Sequence, residues 1–256
     1  MSGLRAAFAT FSALPVGAGK QSPSGRVLLW FPVVGVVLGT LAWAASCAAW
    51  RGYAGGAPLL AAALVVSSLA LLTRGLHLDG LADLADGLGS GQPPEPAREI
   101  MHRGDVGAFG AAAVALVLLV QVAALTEVLE SSPRWGGLVT IVAGTTLGRV
   151  AVLRAAGLPA APDSAFGVLV AGSAGPAIRW SATVLAVVAA ALLAAWTPVG
   201  PVTGLGAAVA ALALADLLCR HAVARLGGVS GDVFGALVEV GTTVFWVGWA
   251  LGEVWR

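Results

Sequence analysis

Long apolar runs parted by polar stretches set the pattern of this chain. The runs fall near residues 30–50, 58–73, 108–128, 136–152, 181–196, 202–219 and 233–251. Several approach the roughly 20 apolar residues that a helix needs to cross a bilayer. Seven spanning helices are predicted, the second and fifth of them short. Trp30 and Trp50 bracket the first run, and tryptophan favours the membrane interface. Ahead of it, residues 2–14 carry Arg5, Phe8, Phe11 and Leu14 at helical spacing. That spacing predicts an amphipathic helix on the membrane surface, ended by Pro15. No convincing cleavage site accompanies it, so no signal peptide is expected. Residues 20–26 read as a polar turn and 51–57 as a short connection.

Composition sharpens this picture. Of 256 residues, 58% are hydrophobic and 11% charged, outside the range of soluble domains. The fold class expected is all-α: a polytopic integral membrane helical bundle, in a single domain over 1–256. The net charge of +1 gives no reason to expect a nucleic-acid partner. Cys47 and Cys219 lie inside apolar runs with no second ligand at useful spacing, so neither a disulfide framework nor a zinc site is expected.

Charge then orients the spans. With seven of them, the amino terminus and the three long loops share one side. That side holds Arg5, Lys20, Arg26, Arg74, Arg98, Arg103, Arg149, Arg154, Arg179, Arg220 and Arg225; the other holds Arg51, Arg134 and Arg256. Eleven against three places the long loops in the cytoplasm. Of the acids, only Glu127, Glu130 and Glu253 fall on the far side. A transporter would carry ionisable groups near mid-membrane, along a pathway. Crowding on one face favours an enzyme of the cytoplasmic interface.

The densest chemistry is in Arg74-Gly75-Leu76-His77-Leu78-Asp79-Gly80-Leu81-Ala82-Asp83-Leu84-Ala85-Asp86-Gly87. On a helix, Asp79, Asp83 and Asp86 stand at i, i+4 and i+7 and share a face. Three like charges repel, and a hard cation such as Mg²⁺ between them removes the repulsion. A solvated acidic helix end is the plainer reading, but apolar surroundings make idle charges costly. His77, about 200° from Asp79 on such a helix, could be a base, a substrate contact or an interfacial residue. A second acidic pair, Asp232 and Glu239, also lies at i and i+7. Asp232 could simply cap a helix. Glu239, roughly 10 Å further in by helical rise, needs a polar interior or a cation. Asp216 and Arg220 are spaced for an ion pair on one helix. Arg149 either snorkels to the interface or binds phosphate. Glycines between Gly104 and Gly110 could bring backbone N–H groups to phosphate, or serve helix packing. His102 and His221 have no clear partners and read as surface residues. These features together describe a cytoplasm-facing, metal-assisted transferase acting on a diphosphate.

Several of these segments, in order, resemble the cobalamin synthase family (adenosylcobinamide-GDP ribazoletransferase). Phe11-Ser12-Ala13-Leu14-Pro15-Val16 and Phe31-Pro32-Val33-Val34-Gly35 are similar to its opening motifs. The segment from His77 to Asp83, with Asp86-Gly87, resembles its most specific one. Glu99-Ile100-Met101 with Gly107 to Gly110, Gly148-Arg149, and Leu226 to Ala236 with Glu239 resemble later blocks. Departures fall at His102-Arg103-Gly104-Asp105, Ala161-Pro162 and Ala165-Phe166-Gly167.

The resemblance implies about seven transmembrane helices, an N-terminal amphipathic helix and cytoplasmic catalytic loops in a bacterial inner membrane. It implies that a ribose hydroxyl of α-ribazole, or of its 5′-phosphate, attacks the diphosphate of adenosylcobinamide-GDP and releases GMP. Mg²⁺ is the implied cofactor, on Asp79, Asp83 and Asp86. Catalytic roles are expected at Asp83, His77, Asp232 and Glu239, and substrate contacts at Arg149, Gly80, Arg74 and Gly231. Membrane lipid is an expected partner; homo-oligomers and contacts with other cobalamin-assembly enzymes stay open. The alternatives are a CDP-alcohol phosphotransferase, whose Asp-Gly-x-x-Ala-Arg segment is missing here, and a transporter, whose internal repeats are not evident.

Overall fold

In the computed structural model, residues 3–17, 25–49 and 57–255 are described. The expected features at Lys20, Trp50, Arg51 and Arg256 lie outside them. Among the described residues the chain is helical throughout, with a single isolated bridge, Ala160 to Val229, as its β-structure. A short helix, α1 (Gly3–Phe11), precedes a 3-10 turn at Gly25–Trp30 that runs into α2 (Phe31–Ala49). Then come α3 (Pro58–Leu72), α4 (Leu76–Gly89), α5 (Pro94–Met101), α6 (Ala108–Ser131) and α7 (Arg134–Ala155). After α8 (Ala165–Val170) follow α9 (Pro176–Ala194), α10 (Gly200–Leu226) and α11 (Gly231–Val254).

Six of these stretches are long and apolar enough to cross a membrane, and seven with α3 and α4 counted as one bent span. They match the apolar runs read from the sequence. The chain is therefore a multi-pass membrane protein. α7 and α11 form its centre: 78% and 72% of their apolar windows are buried, against 17% for α9 and 22% for α6. The outer helices turn Leu116, Leu119, Leu185 and Leu192 outward, where lipid replaces a protein partner. The central pair meets through small residues. A Cβ on Gly241 would sit 3.1 Å from the Cα of Gly148. Trp246 and Trp249 of α11 are fully buried, and the indole of Trp246 donates to the carbonyl of Thr140.

Two departures from regular helix create the site. Arg74 and Gly75 both adopt left-handed backbone, φ 57° and 71°, and α4 leaves α3 at 88°. Gly75 tolerates that region; Arg74 is held in it by the turn, where the N–H of Gly75 reaches the carbonyl of Ala70. α4 thus lies across the end of the bundle, outside the six straight spans. The second departure is α1. It was expected on the lipid surface, but Ala7 and Phe11 are buried against the bundle, and the N–H of Ala13 donates to the carbonyl of Leu72. Phe11 is consumed by protein packing because its ring meets Phe31 at 4.2 Å.

Candidate active site

α4 and α11 cross where Gly80 meets Asp232, and this crossing brings the two acidic motifs together. A Cβ on Gly80 would stand 2.9 Å from both the Cα and the carbonyl oxygen of Asp232. Gly80, expected to contact substrate, is instead buried as the packing residue of that crossing. At the start of α11, the hydroxyl of Ser230 accepts from the N–H of Val233 and donates to the carboxylate of Asp232. Asp232 is thereby fixed at the helix amino end, where the dipole suits a negative charge.

Asp79, Asp83 and Asp232 make up the acidic cluster. Burial, followed by the charges of Asp232, Asp79 and Asp86, raises the carboxyl of Asp83 from the usual range to about 6; His102 opposes the rise. The charge repulsion read from the sequence is therefore present, with Asp232 as its strongest source. All the donors are hard oxygens, which suits Mg²⁺. Among the described residues no three carboxylate or imidazole groups converge into a ready-made cage. Mg²⁺ commonly takes one or two carboxylates and completes its shell with water and substrate phosphate, so this donor set fits it.

Asp86 has a different task from the one expected. Its two oxygens accept from the N–H groups of Gly107, at 2.7 Å, and Gly110, at 2.9 Å. It is buried and caps α6 from another helix. The N–H groups of Gly107 and Gly110, read as open either to phosphate or to helix packing, are taken by this carboxylate.

Arg149 and Glu239 lie deeper. Arg149 does not snorkel: it is 2% exposed, donates to the carbonyl of Thr145, and stands 5.8 Å from the ring centre of Phe31. With Glu239, Gln121, Thr242 and His77 it lines a small cavity of about 20 Å³, room for about one water. Glu239 accepts from Gln121, which also donates to Thr243. Glu239 and Arg149 line this inner chamber, apart from the cluster of Asp79, Asp83 and Asp232. The Nε of Arg149 and the Nε2 of His77 have no hydrogen-bond partner among the described residues.

His77 is the wall between this chamber and an outer cavity of about 240 Å³. The outer cavity is lined by Asp79, Asp232 and Gly231, and by Phe11, Phe31, Phe166 and Phe234. The rings of Phe166 pack edge-on to Phe11 and Phe234, at 6.0 and 6.1 Å. Gly231, expected as a substrate contact, is part of this lining. Asp79 and Leu76 also border a wide groove of about 840 Å³, with Arg74 and Val106 along it. Arg74 is exposed there.

The loops close around these cavities. Arg98 of α5 pairs with Asp163 at 2.8 Å and donates to the carbonyl of Leu226 at 2.9 Å. Burial pushes the carboxyl of Asp163 up, but the Arg98 hydrogen bond, its own backbone and the Arg98 charge hold it below the usual range. The Ala160–Val229 bridge ties the second loop to the third. Asp216, expected to pair with Arg220, is bound by Arg154 of α7 instead. A partner on another helix can meet the carboxylate with two nitrogens, as Arg154 does.

Sequence reasoning missed the aromatic walls, His102 and Gln121. His102 stands close enough to influence both Asp83 and Asp232. A lone glutamine inside an apolar span was a legible signal for Gln121. The phenylalanines gave none, because aromatic residues in a membrane chain most often face lipid or core.

Residues 3–250 match the family model described as CobS, cobalamin-5-phosphate synthase. A protein of Frankia casuarinae named adenosylcobinamide-GDP ribazoletransferase is 39% identical, over 92% of this chain and 90% of its own length. Relatives of the same name from Chlorobaculum tepidum and Corynebacterium efficiens are each 36% identical, covering 100% and 94% of this chain and 96% and 88% of theirs. No solved structure matches. The chain belongs to the cobalamin-5-phosphate synthase family.

Proposed function

We propose that this protein joins α-ribazole, or its 5′-phosphate, to adenosylcobinamide-GDP and releases GMP. A ribose oxygen–phosphorus bond forms at the phosphate attached to cobinamide. The bond from that phosphorus to the bridging oxygen breaks, and GMP leaves with it. The product is adenosylcobalamin or its 5′-phosphate. The observation that carries this reading is the acidic cluster at the mouth of an aromatic-walled cavity.

Each part of the site has a use in this reaction. The outer cavity suits the flat aromatic base of ribazole, because phenylalanine edges and faces pack against a ring. A ribazole seated there turns its ribose toward Asp232, which orients the hydroxyl and accepts its proton. Asp79 lies between this cavity and the wide groove, so the diphosphate rests at Asp79 and Asp83 with the two substrates on either side. Attack and departure then proceed in line, and the site acts mainly by positioning. Mg²⁺ on Asp79 and Asp83, when bound, would neutralise charge on the diphosphate. His77 forms the cavity floor. The eleven-to-three bias of basic residues supports an active site on the cytoplasmic face of a bacterial inner membrane. Family membership sets aside the phospholipid-enzyme and transporter alternatives.

The test is turnover of detergent-purified protein with adenosylcobinamide-GDP, α-ribazole 5′-phosphate and Mg²⁺. GMP release that needs the ribazole and stops with EDTA is the expected result. Release without ribazole, or none from folded protein beside an active relative, would reject the assignment.

A further inference from the structure

A second polar cavity, of about 180 Å³, lies between α7, α9 and α10. Arg154, Arg179, Arg220, Asp216 and Trp180 line it. None of them lines the aromatic cavity or the wide groove. Arg154 is engaged: it binds Asp216, and its Nη1 donates to Thr183 at 3.1 Å. One carboxylate against three guanidiniums leaves two positive charges. Arg179 donates once, to the carbonyl of Arg154 at 3.3 Å, and its buried Nε has no partner. Arg220 makes no hydrogen bond or ion pair among the described residues. The chain also makes room for this group, since a side chain at Gly157 would run into the guanidinium of Arg179. Arg179, half-buried with an unmet donor, and Arg220, exposed beside it, call for an anion with several oxygens, and phosphate matches their fork.

The surroundings say where that phosphate comes from. Trp180, 62% exposed, stands at the rim with the Arg154 guanidinium 5.2 Å above its ring. Leu185 on α9 and Leu217 on α10 are exposed, on helices whose outer faces meet lipid. A soluble phosphate needs no such apolar flank. We propose that this cavity binds the phosphodiester of an anionic phospholipid headgroup, with Trp180 at the headgroup level. The site is separate from the transferase reading and stands whether or not that reading does.

Brominated lipids test it in the full-length protein. The signal is tryptophan fluorescence of the wild type less that of Trp180→Phe, in bilayers holding brominated phosphatidylglycerol or brominated phosphatidylcholine. Each arginine near an anionic lipid is worth roughly fivefold in affinity. Brominated phosphatidylglycerol should therefore quench Trp180 at a concentration on the order of 25-fold lower than brominated phosphatidylcholine. Arg220→Gln, which breaks no hydrogen bond or ion pair among the described residues, should cut that preference roughly fivefold, and Arg179→Gln with Arg220→Gln should abolish it. Inorganic phosphate should leave it unchanged. Equal quenching by the two lipids, or a preference that survives the double variant, overturns the proposal. Displacement by inorganic phosphate assigns the cavity to a soluble phosphate and overturns the lipid.

Discussion

Gly80 of α4 rests on the backbone of Asp232 in α11, and no larger residue fits between them. The crossing of two helices 150 residues apart in sequence thus turns two separate acidic motifs into one cluster. Gly80→Ala places a Cβ where real atoms do not come, so α4 and α11 must part. Displacements of about 1 Å can cost on the order of 100-fold in rate. We expect a fall in kcat of that order with membrane insertion retained, read from GMP release and from detergent-extracted yield. Activity near wild type would show that the crossing does not set the site.

Asp83 and Asp86 look equivalent in sequence and should fail differently. Asp83→Asn removes a charge from a crowded cluster. It should abolish turnover, by a factor of about 100 or more, without lowering the melting temperature. Asp86→Asn weakens the cap on α6 and should lower stability by about 1–2 kcal/mol. A thermal scan beside an assay separates the two. Retained turnover in Asp83→Asn would exclude its metal role.

The raised carboxyl of Asp83 also predicts a pH dependence. Its folded-state pKa, about 6, lies above the 3.8 of an unperturbed aspartate. Folding therefore favours the protonated form, and that contribution is lost as pH rises through about 6. Without Mg²⁺, the melting temperature should decline across this range, and Asp83→Asn should remove the decline. A flat melting profile in the metal-free protein would show that Asp83 is not crowded.

Arg149 should prove structural. Arg149→Ala empties a buried position in the central helix α7 and removes the hydrogen bond to Thr145. Large-to-small changes in a core cost about 2–5 kcal/mol, enough to cost most of the folded protein. Glu239→Gln keeps an acceptor for Gln121 and should be milder. If Arg149→Ala folds normally and only KM for adenosylcobinamide-GDP rises, Arg149 binds substrate phosphate after all.

The Arg98–Asp163 pair gives a weaker prediction. Asp163 is 44% exposed at its side chain, and such pairs contribute about 0.2–1 kcal/mol. Asp163→Asn should barely change stability. It should raise KM, because the pair holds the second loop against α5 and the end of α10. An unchanged KM would separate this clamp from substrate binding.

What the sequence determined by itself follows from local physics. Span positions are written as apolar runs, because each helix must satisfy its own backbone in lipid. Charge asymmetry is a count, and it needs no fold. The spacing of Asp79 and Asp83 is a property of one helix. The family motifs were legible in the same way, as short strings in order. Tertiary structure decided everything that depends on a partner from a distant helix. It gave Asp86 to α6, Asp216 to Arg154 and Glu239 to Gln121, and it enclosed Arg149. It assembled Phe11, Phe31, Phe166 and Phe234, from four separate elements, into one cavity. No local rule shows these choices, because a carboxylate or a ring takes whichever neighbour the packing supplies, and that packing turns on glycines such as Gly80 whose contacts lie far along the chain.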